Sequence, residues 1–141
     1  YLTYTEKMNF PIGSGVASAN MAWVLDTLGA HTEALGYAEK AFHFAVQAEA
    51  PLLKIVALRS MSELQKDSSQ RAAYAEKALA LAKEHGRRFN IAGALLTLAD
   101  AYQDEGLYAD ATALLKELHA ENWLSLPLVF SSLRLPILYW G

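Results

Sequence analysis

AGALLTLADAYQDEGLYADATALLKEL, residues 92–118, predicts two amphipathic helices joined by a tight turn at residues 104–107. In the first helix, apolar residues recur at the i, i+3, i+4, i+7 spacing of one helical face: Leu95, Leu98, Ala99 and Tyr102. The second helix has a matching face, formed by Tyr108, Ala111, Leu115 and Leu118. Two helices packed on each other still leave an apolar face uncovered, so this pair requires neighbouring helices.

The composition fits one helical domain of 141 residues. Hydrophobic residues make up 53% and charged residues 19% of the chain, which excludes disorder caused by low hydrophobicity. The four prolines leave long stretches without a helix breaker, so we predict an all-α fold. With a net charge of −3 and no basic stripe, the sequence argues against direct binding of nucleic acid.

The chain has no cysteine, which excludes disulfides and thiolate metal sites. Residues 1–10 show no signal-peptide pattern, and no apolar run of about 20 residues could cross a bilayer. We therefore predict a cytoplasmic protein without a membrane partner. Because residue 1 is Tyr rather than Met, we also expect the chain to be a fragment of a longer protein.

Periodicity and end signals together predict six helices. Gly29, Gly86 and Gly106 follow helix ends, and Pro51 can open a helix. The predicted helices, alternately called A and B, cover residues 11–28, 32–50, 51–66, 69–85, 88–105 and 108–121.

These helices form a repeat. The sequence YAEKA at residues 37–41 recurs 37 residues later at 74–78, and the turn at Gly29 recurs 77 residues later at Gly106. Such spacings predict three helix pairs, at about residues 11–50, 51–86 and 87–121, within a single domain.

The pattern resembles the tetratricopeptide repeat family, whose signature has large and small residues at fixed places in helix A, a Gly turn, and alanines in helix B. Residues 92–118 match it best, whereas the second repeat has Arg59, Lys66 and Arg71 at small positions. The spacing of 77 residues is 37 plus 40, and both repeat lengths exceed the family's usual length of about 34. They resemble its long-repeat subtype. The resemblance implies a right-handed superhelix of three antiparallel helix pairs.

Arg59 and Arg71 admit more than one interpretation. Their stems could extend to solvent, or their guanidinium groups could pair with Glu63 and Glu76. The third interpretation is a locally looser second repeat.

The resemblance also implies a binding surface, because helices A of this family line a concave groove. The groove residues carried over to this chain are Asn20, Trp23, Asp26, Thr27, Val56, Ser60, Glu63, Leu64, Leu96, Asp100, Gln103 and Asp104. Trp23, Val56, Leu64 and Leu96 would make one end apolar. Four carboxylates with no Lys or Arg among them would make the other end acidic, which favours a basic or amphipathic peptide. Alternatively, the carboxylates are a solvated helix face and Trp23 is a core residue.

Catalytic and cofactor motifs are missing from the sequence. The four histidines form no HExxH pair, and the Gly13–Gly15 segment follows no strand and contains no Lys. We interpret its glycines as loosening the start of the first helix. The sequence therefore predicts no enzyme activity, no cofactor and no metal site.

Residues 122–141 are unusually apolar for the end of a repeat array. Phe130, Leu133 and Ile137 could share a helical face, as in a partial fourth repeat. The segment either caps helix B of the third pair or docks another repeat or a second subunit, which would make a homo-oligomer.

Two functions remain open at this point. The first is a protein–protein interaction scaffold that binds a peptide or helix of a partner in the groove. The alternative is a regulatory or oligomerisation segment of a larger signalling or transcriptional regulator, since the long repeats resemble those of bacterial transcriptional activators.

Overall fold

A computed structural model of the chain describes residues 4–85 and 88–120, with side chains described from residue 10 onward. Six α-helices and no strand occur within these ranges, which confirms the all-α prediction. The helices are α1 Tyr4–Thr27, α2 His31–Gln47, α3 Pro51–Leu64, α4 Ser68–His85, α5 Arg88–Asp104 and α6 Tyr108–Ala120. Predictions about Gly86 and residues 122–141 lie outside the described residues.

Each helix packs on the next one along the chain, and α3 also packs on both α1 and α5. The even-numbered helices α2 and α4 approach their neighbours through stripes of buried alanine: Ala34, Ala38, Ala41 and Ala45, then Ala72, Ala75, Ala78 and Ala82. These small side chains allow close helix contact, while α3 and α5 supply the larger core residues Ile55 and Leu95. The YAEKA repeat thus places the same alanines against the core in both helices.

The turns that close α1, α2 and α5 share one backbone geometry. In each turn an amide hydrogen-bonds back to a carbonyl five residues earlier: Ala30 to Leu25, Ala50 to Ala45, and Leu107 to Tyr102. The preceding residue has positive φ and is Gly29, Glu49 or Gly106. Glycine adopts this conformation without a Cβ clash. Glu49 makes the same turn without that advantage.

Helix α1 differs from its prediction in two ways. It begins at Tyr4 rather than Pro11, which lies inside the helix. Gly15 is not a weak start but a point of close packing, because a Cβ there would lie 2.4 Å from Leu53 Cδ2 and 3.2 Å from Phe44 Cβ. The glycine lets α1 sit close to both α2 and α3.

The third helix pair buries most of its predicted apolar face. Leu95, Leu98, Ala99, Ala111 and Leu118 are all buried. Its two other members on α6 lie outside the core, because Tyr108 is 66% exposed and Leu115 is 45% exposed. The predicted core face of α6 therefore has an open edge.

Candidate functional site

The candidate site is an open pocket of about 420 Å³ between α3, α5 and α6. Its lining mixes charged, polar and apolar side chains: Arg59, Glu63, Leu96, Thr97, Ala99, Asp100, Gln103, Ala111 and Leu115. Four of the predicted groove residues meet here, namely Glu63, Leu96, Asp100 and Gln103. The pocket thus brings Glu63 of α3 together with three of the predicted groove residues of α5.

Arg59 of α3 is the most unusual lining residue, since only 2% of it is exposed. Its Nε donates a 3.0 Å hydrogen bond to Thr97 Oγ1 on α5. Thr97 Oγ1 in turn donates a 3.0 Å bond to the Gly93 carbonyl oxygen. Burial lowers the pKa of the Arg59 guanidinium, and the nearby Glu63 carboxylate opposes that change. A positive charge is therefore held at the pocket wall, beneath the surface.

Gly93 makes room for this guanidinium. A Cβ at Gly93 would lie 2.6 Å from Arg59 Nη1 and 2.9 Å from Cζ, closer than packed atoms allow. Arg59 stands where the repeat pattern predicts a small residue, and its guanidinium fits because the facing residue on α5 is a glycine. The interpretation in which the Arg59 side chain extends to solvent is therefore wrong, since Arg59 is buried.

Arg71 of α4 changes the charge predicted for the acidic end of the groove. Its guanidinium contacts Asp100 Oδ2 at 2.9 Å and also pairs with Asp104. The prediction of carboxylates without a cation among them is therefore wrong for Asp100 and Asp104. The structure pairs Arg71 with α5 across the helix interface instead of with Glu76 on its own helix.

Glu76 instead accepts a 2.8 Å hydrogen bond from the hydroxyl of Tyr102. Desolvation by burial raises the pKa of Tyr102 to about 12, and the Glu76 hydrogen bond and charge add to that effect. This contact joins α4 to α5 beside the Arg71 pairs.

The predicted groove residues of α1 lie elsewhere. Asp26 Oδ1 lies 2.7 Å from His31 Nδ1, with only 12% of the Asp26 side chain exposed. Thr27 Oγ1 donates to the Trp23 carbonyl oxygen at 2.8 Å, while Trp23 and Asn20 are half-buried. None of these α1 residues lines the pocket.

Two predicted apolar anchors are packed with the core. Val56 is 6% exposed and belongs to a cluster with Ala19, Ala41 and Ala57. Leu64 packs against the cluster of Ala22, Ala38 and Met61. Ser60 is half-buried outside the pocket lining. The apolar part of the pocket is instead formed by Leu96 together with Ala99, Ala111 and Leu115.

The sequence placed Thr97 on the groove side of its helix but did not indicate Arg59, Ala111 or Leu115 as site residues. One signal pointed to Arg59, since it occupies a position where a small residue was expected. Its facing glycine is 34 residues away in sequence, so helical periodicity cannot pair them.

The charged groups in the pocket lining are one guanidinium, of Arg59, and two carboxylates, of Glu63 and Asp100. Among residues 4–85 and 88–120, no cluster of three or more His, Asp or Glu residues could hold a metal ion. Within the same ranges, no helix has the length and apolar character needed to cross a membrane.

Comparison with known proteins adds no identification: no family model, curated protein or solved structure matches the chain.

Proposed function

We propose that this chain is a protein-interaction module that binds a peptide or helix of a partner protein at the pocket between α3, α5 and α6. One observation carries the proposal: a buried guanidinium, two carboxylates and an apolar wall converge on one open pocket. Binding sites for peptides combine apolar anchor positions with a few fixed polar groups in this manner.

The lining defines the partner's chemistry. Leu96, Ala99 and Leu115 suit an apolar side chain, while Glu63 and Asp100 suit one Lys or Arg. Because Arg71 neutralises part of the charge on Asp100, a strongly basic partner gains little here. The preferred partner is an amphipathic segment with one cationic side chain.

The proposal includes the way in which the three helix pairs are arranged. Sequential helix packing and three turns of one geometry support an array of helix pairs, and the resemblance to the tetratricopeptide repeat implies that this array is a right-handed superhelix. In such an array the pocket would lie where a further helix A would pack. A cytoplasmic setting suits the cysteine-free composition.

An NMR titration tests the proposal. The probe is a synthetic helix-forming peptide with Leu at i, i+3, i+4 and i+7 and a single Arg. We expect shifts at Leu96, Gln103 and Leu115, and a loss of affinity of about tenfold in Asp100→Lys, which replaces an attractive charge by a repulsive one. Glu33→Lys, an exposed change on α2 with the same charge difference, is the matched control. Shifts confined to α2 and α4, or equal losses in both variants, would reject the pocket as the site.

A second function, regulation or oligomerisation within a larger protein, is supported by a different observation. Tyr108 and Leu115 expose apolar surface along α6, and such surfaces often mark contacts between subunits. Sedimentation velocity over a range of concentrations tests it. A mass that stays monomeric would count against self-association through this surface.

A further inference from the structure

The chain uses one kind of helix contact twice inside itself. In both cases an even-numbered helix packs on the helix that follows it, α2 on α3 and α4 on α5. Ala38 of α2 shares a buried cluster with Met61 of α3, and Ala75 of α4 shares one with Ala101 of α5. The two contacts are equivalent in the repeat, because Ala75 follows Ala38 by 37 residues and Ala101 follows Met61 by 40.

The same intervals lead to one residue on the first helix and one on the last described helix. Leu115 of α6 follows Ala75 by 40 residues, and Val24 of α1 precedes Met61 by 37. Leu115 is 45% and Val24 is 41% exposed, whereas the equivalent residues of α2 to α5 are all buried. Leu115 and Val24 are therefore the two halves of a contact that the chain already makes twice.

Met21 of α1 follows the same rule. Its equivalents are Leu58 of α3 and Leu98 of α5, which are 6% and 3% exposed, whereas Met21 is 43% exposed. Leu98 lies in a cluster with two alanines of the preceding helix α4. Met21, Val24 and Leu28 share one helical face at i, i+3 and i+7, and we call them the α1 stripe. Through Met21 and Val24 this stripe corresponds to the face that α3 and α5 pack against the preceding helix.

We infer that the α1 stripe of a second copy of this chain covers Leu115 and its neighbours on α6, so that copies join head to tail. Leu115 of one copy then packs on Val24 of the next, as Ala75 packs with Ala101 inside the chain. The inference rests on the second proposed function, self-association, and deepens it by naming the two surfaces that meet. Because these surfaces differ, every added copy leaves one of each open, so the assembly is an open filament or a closed ring.

The side chains at the proposed contact are compatible in size and charge. Leu115 is larger than its alanine equivalents, while Val24 is smaller than its methionine equivalent in α3. Both are apolar, and removing apolar surface from water stabilises a contact by about 25 cal/mol per Å². Asp26 is the only charged residue among residues 10–27 of α1, and its carboxylate already pairs with His31. This part of α1 therefore brings no uncompensated charge to α6.

Sedimentation velocity of the full chain over a range of concentrations tests the inference. A contact of one helix from each copy is smaller than the interfaces of stable complexes, which bury about 1,200–2,000 Å² in total. The average mass of the parent should therefore rise with concentration, by at least about twofold. Val24→Asp and Leu115→Asp should each stay at the monomer mass of 15.5 kDa. Val46→Asp is the matched control and should associate like the parent, because Val46 and its equivalent Lys83 are both exposed.

Mixing the two variants distinguishes a head-to-tail contact from a symmetric one. Leu115→Asp keeps an intact α1 stripe and Val24→Asp keeps an intact α6 surface, so an equimolar mixture retains one complete interface. The mixture should form a dimer of twice the monomer mass and nothing larger. A symmetric contact between two α6 surfaces would instead let Val24→Asp associate alone. Circular dichroism checks that both variants are folded.

Cysteine cross-linking is a second test that needs no charged substitution. The natural chain has no cysteine, so Leu115→Cys and Val24→Cys each carry a single thiol. Under mild oxidation the mixed pair should form disulfide-linked dimers at least about tenfold faster than Leu115→Cys mixed with Val46→Cys, because only the first pair of thiols is held within bonding reach. Each protein alone should cross-link slowly, since identical positions do not meet in a head-to-tail contact.

The outcomes separate the inference from the proposed functions. A parent that stays monomeric and shows no preferred cross-link rejects both self-association and the inference, while the peptide titration still decides the peptide site by itself. Association that persists in both Asp variants keeps self-association but rejects these two surfaces. Rapid cross-linking of Leu115→Cys with itself assigns the contact to a symmetric pair of α6 helices and also overturns the inference.

Discussion

Arg59 of α3 donates a 3.0 Å hydrogen bond through Nε to Thr97 Oγ1 of α5, and this contact joins the two helices that form most of the pocket. Burying a guanidinium is costly unless polar groups and an opposite charge surround it. Here Thr97 supplies a hydrogen-bond acceptor and Glu63 supplies the charge. The contact therefore fixes how closely α3 and α5 approach, and with it the width of the pocket.

Gly93→Ala should destabilise the protein by about 1–3 kcal/mol, because the new methyl group would overlap the Arg59 guanidinium. Urea denaturation followed by circular dichroism measures the free energy of unfolding. Gly36→Ala is the matched control, since Gly36 lies in α2 with nothing within 4 Å of the added Cβ. At position 36 alanine has a better helix propensity than glycine, so Gly36→Ala should increase the free energy of unfolding by about 0.5–1 kcal/mol. Equal effects at both glycines would contradict the packing described here.

Coupling between Arg59 and Gly93 should be measurable in a double-mutant cycle. Methionine at position 59 matches the arginine stem only as far as Nε, so it lacks the Cζ and Nη atoms that an added Cβ at Gly93 would meet. The loss of unfolding free energy caused by Gly93→Ala should thus be smaller by at least about 1 kcal/mol in an Arg59→Met background than in the natural sequence. Additive effects within about 0.5 kcal/mol would show that the two positions are independent.

Glu49→Gly should stabilise the protein by about 1 kcal/mol, since Glu49 has a φ of 51° and glycine occupies that region without a Cβ penalty. Thermal and urea unfolding both report the change. Gly29→Ala is the reverse experiment at the equivalent turn, where φ is +86°, and it should destabilise by a similar amount. A destabilising Glu49→Gly would mean that the Glu49 side chain contributes more than its backbone strain costs.

The helices and turns could be predicted because their signals are local. Helical periodicity, Gly29 and Gly106 are read within a few neighbouring residues, and the observed helix bounds follow them closely except at the start of α1. The turn at Glu49 shares their geometry but lacks glycine, so the predicted helix 32–50 extended through it, whereas α2 ends at Gln47. Only Pro51 indicated a break nearby.

The site could be predicted only in part, because its groups meet across helices. Glu63, Leu96, Asp100 and Gln103 were placed by their positions in helices A, and they do line the pocket. Arg71 was not predicted to neutralise Asp100 and Asp104, since it comes from a helix B through a contact 29 residues apart. Val56 has the spacing of a groove residue but is buried by Phe42 and its neighbours, which no single-helix pattern reveals.

Tyr102 should ionise near pH 12, which ultraviolet absorbance of tyrosinate can detect as the difference between the natural protein and Tyr102→Phe. Burial disfavours the phenolate, and the Glu76 carboxylate both accepts a hydrogen bond from the neutral phenol and repels the negative charge of the phenolate. Because this folded-state pKa exceeds the unfolded value of about 10, the contribution of Tyr102 to stability is complete below pH 10 and is lost as the pH rises towards 12. Glu76→Gln should lower the pKa of Tyr102 while leaving it above 10, since desolvation remains. A Tyr102 that ionises at the usual value in the folded protein would show that the contact between α4 and α5 does not form.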